Sequence, residues 1–342
     1  MGLDLRPLVQ ASSININITE LSEKVIAIDA YNSIYQFLAT IRGPTGELLA
    51  NSKGCVTSHL SGLFYRNVSL LTENIKLIYV FDGEPNYLKS KEIEHRRHLK
   101  QIATEKYEAA LISGKYDDAR KYSQATSILT QEMIEESKKI LALLGIPIVQ
   151  AKSEGEAAAA YLTKCGIAFG CASQDYDSLL FGAEKLIRNV TISGKRKIPN
   201  RNSYINIEPE IIDHKYFLSR LSLTSEQLVD VGILIGTDFN PEGFPGIGPK
   251  TALKLIKEYN KLENIEKIRD RLSDVPYQEI RDIFLRQEIP EIDNISFNEI
   301  KYDQVINFLC TEKNFSTDRV TGSLDRLKKI TTSRSQSLER WF

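Results

Sequence analysis

This sequence predicts an α/β fold: a central, mostly parallel sheet with helices on both faces. Two observations carry that prediction. Short apolar runs alternate with helical stretches, as in Ile146–Gln150, then Glu156–Lys164, then Ile167–Ala172. Several of these runs also end on acidic residues. Parallel strands share one C-terminal edge, where open α/β folds keep their sites.

In chain order, residues 1–9 form a short amphipathic start. Ile14-Asn-Ile-Asn-Ile alternates and suits an edge strand. Val25–Ile28 reads as a buried strand ending in Asp29. The following helix carries Tyr31 and Tyr35 one turn apart, either as core aromatics or as contacts to a base or phosphate. Residues 43–54 form a Gly- and polar-rich loop, and residues 57–71 a helix. Leu77–Phe81 is the next strand and ends in Asp82. From Lys89 to about Leu144 the chain is highly charged and largely helical, interrupted at Gly114. Lys89, Lys91, Arg96, Arg97 and Lys100 gather at its start. Such a run is ordinarily a solvated face. Inserted straight after an acid-bearing strand end, it would rise over that edge, where a basic helix would hold phosphates.

Ile146–Gln150 is bounded by Gly145 and Pro147 and is too short for a helix. Glu154 and Glu156 follow it, and Glu156–Lys164 is an Ala-rich helix. The second strand, Ile167–Ala172, leads to Asp175 and Asp177. Residues 186–192 and 204–207 read as a pair of late strands, with Lys195, Arg196 and Lys197 as a basic knob between them. The apolar helix Leu228–Ile235 runs into Gly236-Thr-Asp238. Gly243-Phe-Pro-Gly-Ile-Gly-Pro-Lys is not a Walker loop, because Pro249 separates Gly248 from Lys250. It reads as a helix–hairpin–helix turn. Gly246 and Gly248 would let backbone N–H groups approach a phosphate, and Pro249 suits a first helical position. An ordinary interhelical turn is the alternative. Helical character continues to about residue 329. The Ser- and Thr-rich stretch after it reads as a flexible linker ending in Trp341 and Phe342, which form an anchor for a partner's pocket or a tail folded back.

One acid at a strand end is well explained by helix capping; Ser153-x-x-Glu156 is itself a capping-box pattern. Capping does not explain Asp29 and Asp82 together with two acidic doublets and Asp238. Carboxylates gathered at one edge repel, and cations let them stay ionised together. An all-oxygen donor set suits Mg²⁺ or Mn²⁺ rather than zinc or copper. There are too many donors here for one Mg²⁺. Two ions about 4 Å apart, the phosphodiesterase arrangement, account for them.

The 342 residues allow one large domain or two modest ones, and the 42% apolar content supports a core. A net charge of −1 excludes a uniformly basic nucleic-acid coat, so any DNA binding must come from local patches beside an acidic site. Cys55, Cys165, Cys171 and Cys310 show no CxxC pattern and fit a reducing compartment. The four histidines, His59, His95, His98 and His214, make no ligand pattern. No signal peptide or long apolar span is evident.

With these motifs in view, the chain resembles the XPG family of structure-specific nucleases, in its flap endonuclease branch. The resemblance runs nearly end to end. It rests on Met1-Gly-Leu-Asp-Leu, Ile28-Asp-Ala-Tyr-Asn, Thr57-Ser-His-Leu-Ser-Gly and Val80-Phe-Asp-Gly-Glu-Pro. It continues in Ser153-Glu-Gly-Glu-Ala, Ser173-Gln-Asp-Tyr-Asp-Ser-Leu-Leu, Gly236-Thr-Asp and Gly246-Ile-Gly-Pro-Lys. It implies a PIN-like sheet with a nuclease region at 1–98, a helical arch at 99–135 rooted near 85, and an internal nuclease region at 136–258 ending in the hairpin. A helical region at 259–329 and a clamp-binding tail at 330–342 complete it. Asp29, Asp82, Glu154, Glu156, Asp175, Asp177 and Asp238 would hold two Mg²⁺, with Mn²⁺ as a substitute. Lys89 and Arg96 match the basic pair near the scissile phosphate, and Tyr35 the tyrosine that stacks beside the reacting nucleotide. Gly2 and Arg42 would approach DNA. Gly246, Gly248 and Lys250 would grip duplex, with K⁺ at the hairpin. Ser335, Leu338, Trp341 and Phe342 resemble the box that binds the sliding clamp, the proliferating cell nuclear antigen. Ser335 stands at the family's Gln position, and Gln336 comes one residue late.

The implied function is cleavage of branched DNA at the base of a 5′ flap, with 5′→3′ exonuclease activity, in Okazaki fragment maturation and base excision repair. The enzyme would act as a monomer away from membranes. It would sit in the cytoplasm if archaeal, as the missing basic extension after the tail motif suggests, or in the nucleus if eukaryotic. The rivals are a related 5′ exonuclease and a clamp-tethered junction scaffold without catalysis.

Overall fold

The strands are β1 (Ser13–Asn15), β2 (Val25–Asp29), β3 (Lys76–Phe81), β4 (Ile148–Gln150) and β5 (Gly170–Ala172). After them come β6 (Lys185–Arg188), β7 (Gly194–Lys197), β8 (Tyr204–Ile207) and β9 (Glu210–Asp213). They belong to a computed structural model that describes residues 3–192, 194–197, 203–287 and 295–339. Seven of them form one sheet in the order β1-β9-β6-β5-β2-β3-β4. The run from β6 to β4 is parallel throughout. β9 is antiparallel to β6, and β1 closes that edge antiparallel to β9, as the alternation at Ile14 predicts. The central strands β2 and β3 come from the first quarter of the chain, whereas their outer neighbours β5 and β4 come from beyond the charged insert. The stretches before and after the insert therefore share one sheet.

Side chains alternate across this sheet with period two. Ala27, Ile78 and Val80 face one core, packed against the helices Gly155–Lys164 and Ser225–Ile235. Ile26, Ile28, Leu77, Tyr79 and Phe81 face the other, under the helices Ala30–Thr40, Ser58–Thr72 and Gln131–Leu143. Both faces are covered, so the strands read as continuous apolar runs. Each large side chain fully buried here contributes about 1.5–3 kcal/mol. Tyr79 is fully buried, and its hydroxyl donates to Asn67 Oδ1 at 2.8 Å.

The charged insert is a helical arch. Its long helix, Ser90–Ile112, buries only Glu92, Ala103 and Ala110, so most of its length is solvated. The short helix Tyr116–Ser123, which buries Ala119 and Ser123, packs against it. Gly114, at φ 69°, ends the long helix, and the Lys115 N–H donates back to Ala110 O at 2.9 Å.

Three expectations change. Residues 186–192 do not pair with residues 204–207. β6 lies inside the main sheet, because Leu186 and Ile187 are both fully buried and a solvent-exposed hairpin cannot cover such a run. The basic knob itself forms β7 and pairs with β8. Ser153 makes no capping box; Glu154 occupies the cap position without a side-chain cap bond. The Ser- and Thr-rich stretch is not a loose linker, since the final helix runs Thr317–Glu339. Buried Val320, Leu324 and Leu327 anchor it, no Gly or Pro follows Gly322, and the Thr331 hydroxyl bonds back to Leu327 O at 3.1 Å. Among the described residues no helix is long and apolar enough to cross a membrane. The cysteines are free thiols.

Candidate active site

The C-terminal ends of β5, β2, β3 and β4 lie side by side, and each delivers carboxylates to the same edge. Asp29 is the last residue of β2 and also the N-cap of the next helix; its Oδ1 accepts the Asn32 N–H at 3.0 Å. Asp82 follows β3, and its Oδ1 accepts the Gly155 N–H at 2.7 Å, at the start of the helix that carries Glu156. A Cβ at Gly155 would stand 2.5 Å from that Asp82 oxygen, so a side chain there would have to displace the Asp82 carboxylate. Glu156 Oε1 accepts from Ser173 at 2.8 Å and from Ser178 at 3.2 Å. Asp175 Oδ2 accepts from the Asn32 side-chain amide at 2.7 Å. Asp177 is buried, and its Oδ1 has no partner among the described residues. Asp238 arrives from the turn after the helix Ser225–Ile235, which Gly236 ends at φ 112°.

Crowding in a buried space governs the electrostatics. Burial, then the charge of Asp82, pushes the Asp29 carboxyl well above the usual range. Burial, then Asp177 and Asp175, does the same to Glu156. Asp82 rises to about 6 and Asp177 to about 8, both chiefly through burial. Asp175 is also raised, by burial and then by Asp238. Asp238 is the exception. Burial would raise it, but Lys89 and Arg96 outweigh that and hold it low.

Those two cations come from the root of the arch. Lys89 Nζ bonds Glu154 Oε2 and lies 3.4 Å from Asp238 Oδ2. Its ammonium also sits over the Phe239 ring, 5.1 Å from the centroid. Arg96 donates through Nη2 to both oxygens of Asp238 at 2.9 Å. Through Nε it donates to Glu92 at 2.6 Å, one helical turn back.

The donors fit a hard divalent cation. They are carboxylate oxygens, one is buried without a partner among the described residues, and their mutual repulsion is what a dication relieves. In this side-chain arrangement no three of the described acids close on a single point. Lys89 and Arg96 supply positive charge to Glu154 and Asp238 instead.

Beside the acids, under the arch, lies a cavity of about 330 Å³ lined by Asn32, Tyr35, Lys100, Gln124 and Gln174 among others. Lys100 stands 4.7 Å from the Tyr35 ring centroid. Tyr31, one turn earlier, is half-buried against the core, edge-on to Phe81 at 6.1 Å. The hairpin lies between the helices Ser225–Ile235 and Pro249–Tyr259, with Pro249 in the first turn. Gly246 has φ 78°, and a Cβ on Gly246 or Gly248 would meet only open space, so their backbone is approachable. Lys250 is exposed.

Arg42 is committed within the protein. It donates to Leu38 O and Gly46 O, each at 2.8 Å, and to Ser127 Oγ at 2.7 Å, tying the loop after the first long helix to the far leg of the arch. Gly2, Trp341 and Phe342 lie outside the described residues. Ser335 and Leu338 are described only as part of the final helix backbone. Sequence reasoning missed Asn32, Ser173, Ser178, Glu92 and Phe239. They are polar or aromatic residues of ordinary type, and for most of them only the fold reveals what they touch. Two local signals were available: Asn32 lies three residues after the N-cap Asp29, and Glu92 one helical turn before Arg96.

Comparison with known proteins agrees with this geometry. The XPG N-terminal domain matches residues 1–103 and the XPG I-region matches residues 145–238. Flap endonuclease 1 of Nitrosopumilus maritimus is 54% identical over all of both chains. That of Saccharolobus solfataricus is 49% identical over 99% of this chain and 100% of its own. The solved flap endonuclease-1 of Methanococcus jannaschii superposes with a TM-score of 0.73 at 36% identity, over 94% of this chain and 97% of that one. The catalytic core of Rad2, solved with DNA substrate, shares the fold at 23% identity and a TM-score of 0.72, over 96% of this chain and 100% of that one. With curated relatives this similar along its whole length, the chain belongs to the flap endonuclease 1 family of XPG nucleases.

Proposed function

We propose that this chain cuts branched DNA at the base of a 5′ flap by metal-dependent phosphodiester hydrolysis. One observation carries the reading: an edge of buried, mutually repelling carboxylates is capped by two cations from the root of a helical arch. Dependence on a divalent metal is a property of the family; the identity and number of ions, two Mg²⁺ here, are part of the proposal. Asp29, Asp82, Glu154, Glu156, Asp175, Asp177 and Asp238 would hold them, directly or through water. When bound, the ions supply the Lewis acidity that phosphodiester hydrolysis requires.

The remaining work falls to the chain's own residues. Lys89 and Arg96 leave Glu154 and Asp238 for the scissile phosphate and neutralise charge that builds during cleavage. Tyr35 offers a ring for the nucleotide beside it. The arch lies over the single strand. Gly246, Gly248 and Lys250 hold the duplex backbone, a contact that positions without reading sequence. K⁺ at the hairpin belongs to the same reading. The protein would act as a catalytic monomer at the replication machinery in the cytoplasm. Its tail, through Leu338, Trp341 and Phe342, would engage a sliding clamp, with Ser335 unable to provide the glutamine contact.

A 5′-labelled double-flap duplex incubated with Mg²⁺ or EDTA tests the activity. One discrete product near the junction, absent in EDTA, is expected. A ladder of short products indicates a 5′ exonuclease instead. Tight binding without a Mg²⁺-dependent product leaves only a junction scaffold.

A further inference from the structure

The acids divide by what holds them. Glu154 and Asp238 are bonded to cations from the arch root. Asp29 and Asp175, at the ends of the neighbouring strands β2 and β5, are instead joined through one neutral residue. Asn32 donates its backbone N–H to Asp29 Oδ1 at 3.0 Å and its side-chain amide to Asp175 Oδ2 at 2.7 Å. A neutral donor orients a carboxylate without cancelling its charge, so the oxygens remain available to a cation. The same helix carries Tyr35 one turn later, and both residues line the cavity under the arch.

We infer that Asn32 is a positioning residue that sets the divalent-cation affinity of the Asp29–Asp175 side of the site, holding Asp29 through its backbone N–H and Asp175 through its uncharged side-chain amide. This inference rests on the metal-holding role proposed for those acids.

The test is direct Mn²⁺ binding to the full chain without DNA, followed by paramagnetic resonance. Asn32→Leu keeps the size but removes the side-chain donor. It should weaken Mn²⁺ binding about 10- to 100-fold, the range for loss of a group that orients a metal ligand. Asn32→Gln, which retains an amide, should recover part of that loss. In an Asp175→Asn background, Asn32→Leu should add little, because the group it orients has lost its charge. If Asn32→Leu is too unstable to purify, Asn32→Ser and Asn32→Gln carry the same comparison. Unaltered Mn²⁺ affinity in Asn32→Leu or Asn32→Ser, or equal losses in both backgrounds, overturns the inference. Absence of Mn²⁺ binding by the unsubstituted protein would instead refute the metal-site reading beneath it.

Discussion

Asp177 concentrates the conflict between burial and charge at this edge. Its carboxyl is held at about 8, first by burial, then by Asp238 and Asp175. A folded-state value above the unfolded one means that the native protein binds more protons. Stability without metal therefore falls as pH rises from about 4 to about 8, and Asp82, held at about 6, adds to the fall in the lower part of that window. Asp177→Asn should flatten this loss. In EDTA its melting temperature at pH 8 should exceed that of the unsubstituted protein by a few degrees, and the two should converge near pH 4. The same substitution should lower flap cleavage by at least ~10³-fold while circular dichroism and DNA binding persist. Cleavage near the normal rate would remove Asp177 from the metal set.

At the scale of elements, the hairpin and its anchor divide the labour. The anchor is ionic and largely buried. Arg281 on the helix Tyr277–Leu285 donates through Nη2 to Asp230 at 2.7 Å and through Nη1 to Glu263 at 2.9 Å. Asp230 lies on the helix that leads to the hairpin. Burial still lifts its carboxyl to about 6, against the pull of Arg281. Arg281→Met should therefore cost about 3–5 kcal/mol, since it leaves Asp230 buried and unpaired; thermal unfolding at pH 7.5 measures it, and an unchanged midpoint would contradict it. The hairpin is exposed backbone. Lys250→Ala should weaken duplex binding evenly across sequences and reduce the slope of log K against log salt by about 1. Gly246→Ala places a side chain at φ 78° and should cost about 1–2 kcal/mol in stability.

For the molecule as a whole, the sheet is the frame that turns separate stretches into one site. Strands from before and after the arch interleave in it, so neither stretch builds the acid edge alone. The arch roots beside that edge, and its cations close over the acids. The tail extends from the opposite end of the sequence, on a helix anchored by Val320, Leu324 and Leu327. A Trp341→Ala/Phe342→Ala variant should lose at least ~30-fold in affinity for a sliding clamp ring, as expected when two apolar anchors are removed. Titration calorimetry reads this directly, and retained affinity would place the contact elsewhere.

Much of this was legible from the chain alone because it depends on local pattern. The apolar runs, their acidic ends, the glycine that ends the long arch helix and Pro249 in the first turn after the hairpin follow from the size, charge and backbone freedom of neighbouring residues. So does the choice of a hard divalent cation, which follows from the donor type. What only the tertiary structure decided were relations between distant segments. Leu186 and Ile187 entered the main sheet because burial on both sides outweighed pairing with a nearby strand. Arg42 bonds two nearby carbonyls, but its tie to the Ser127 hydroxyl, 85 residues away, exists only in the fold. Asn32 came to join Asp29 and Asp175 because β2 and β5 are neighbours, although 143 residues separate Asn32 from Asp175. Hydrophobic periodicity assigns each residue a face; strand order and close packing determine what that face meets.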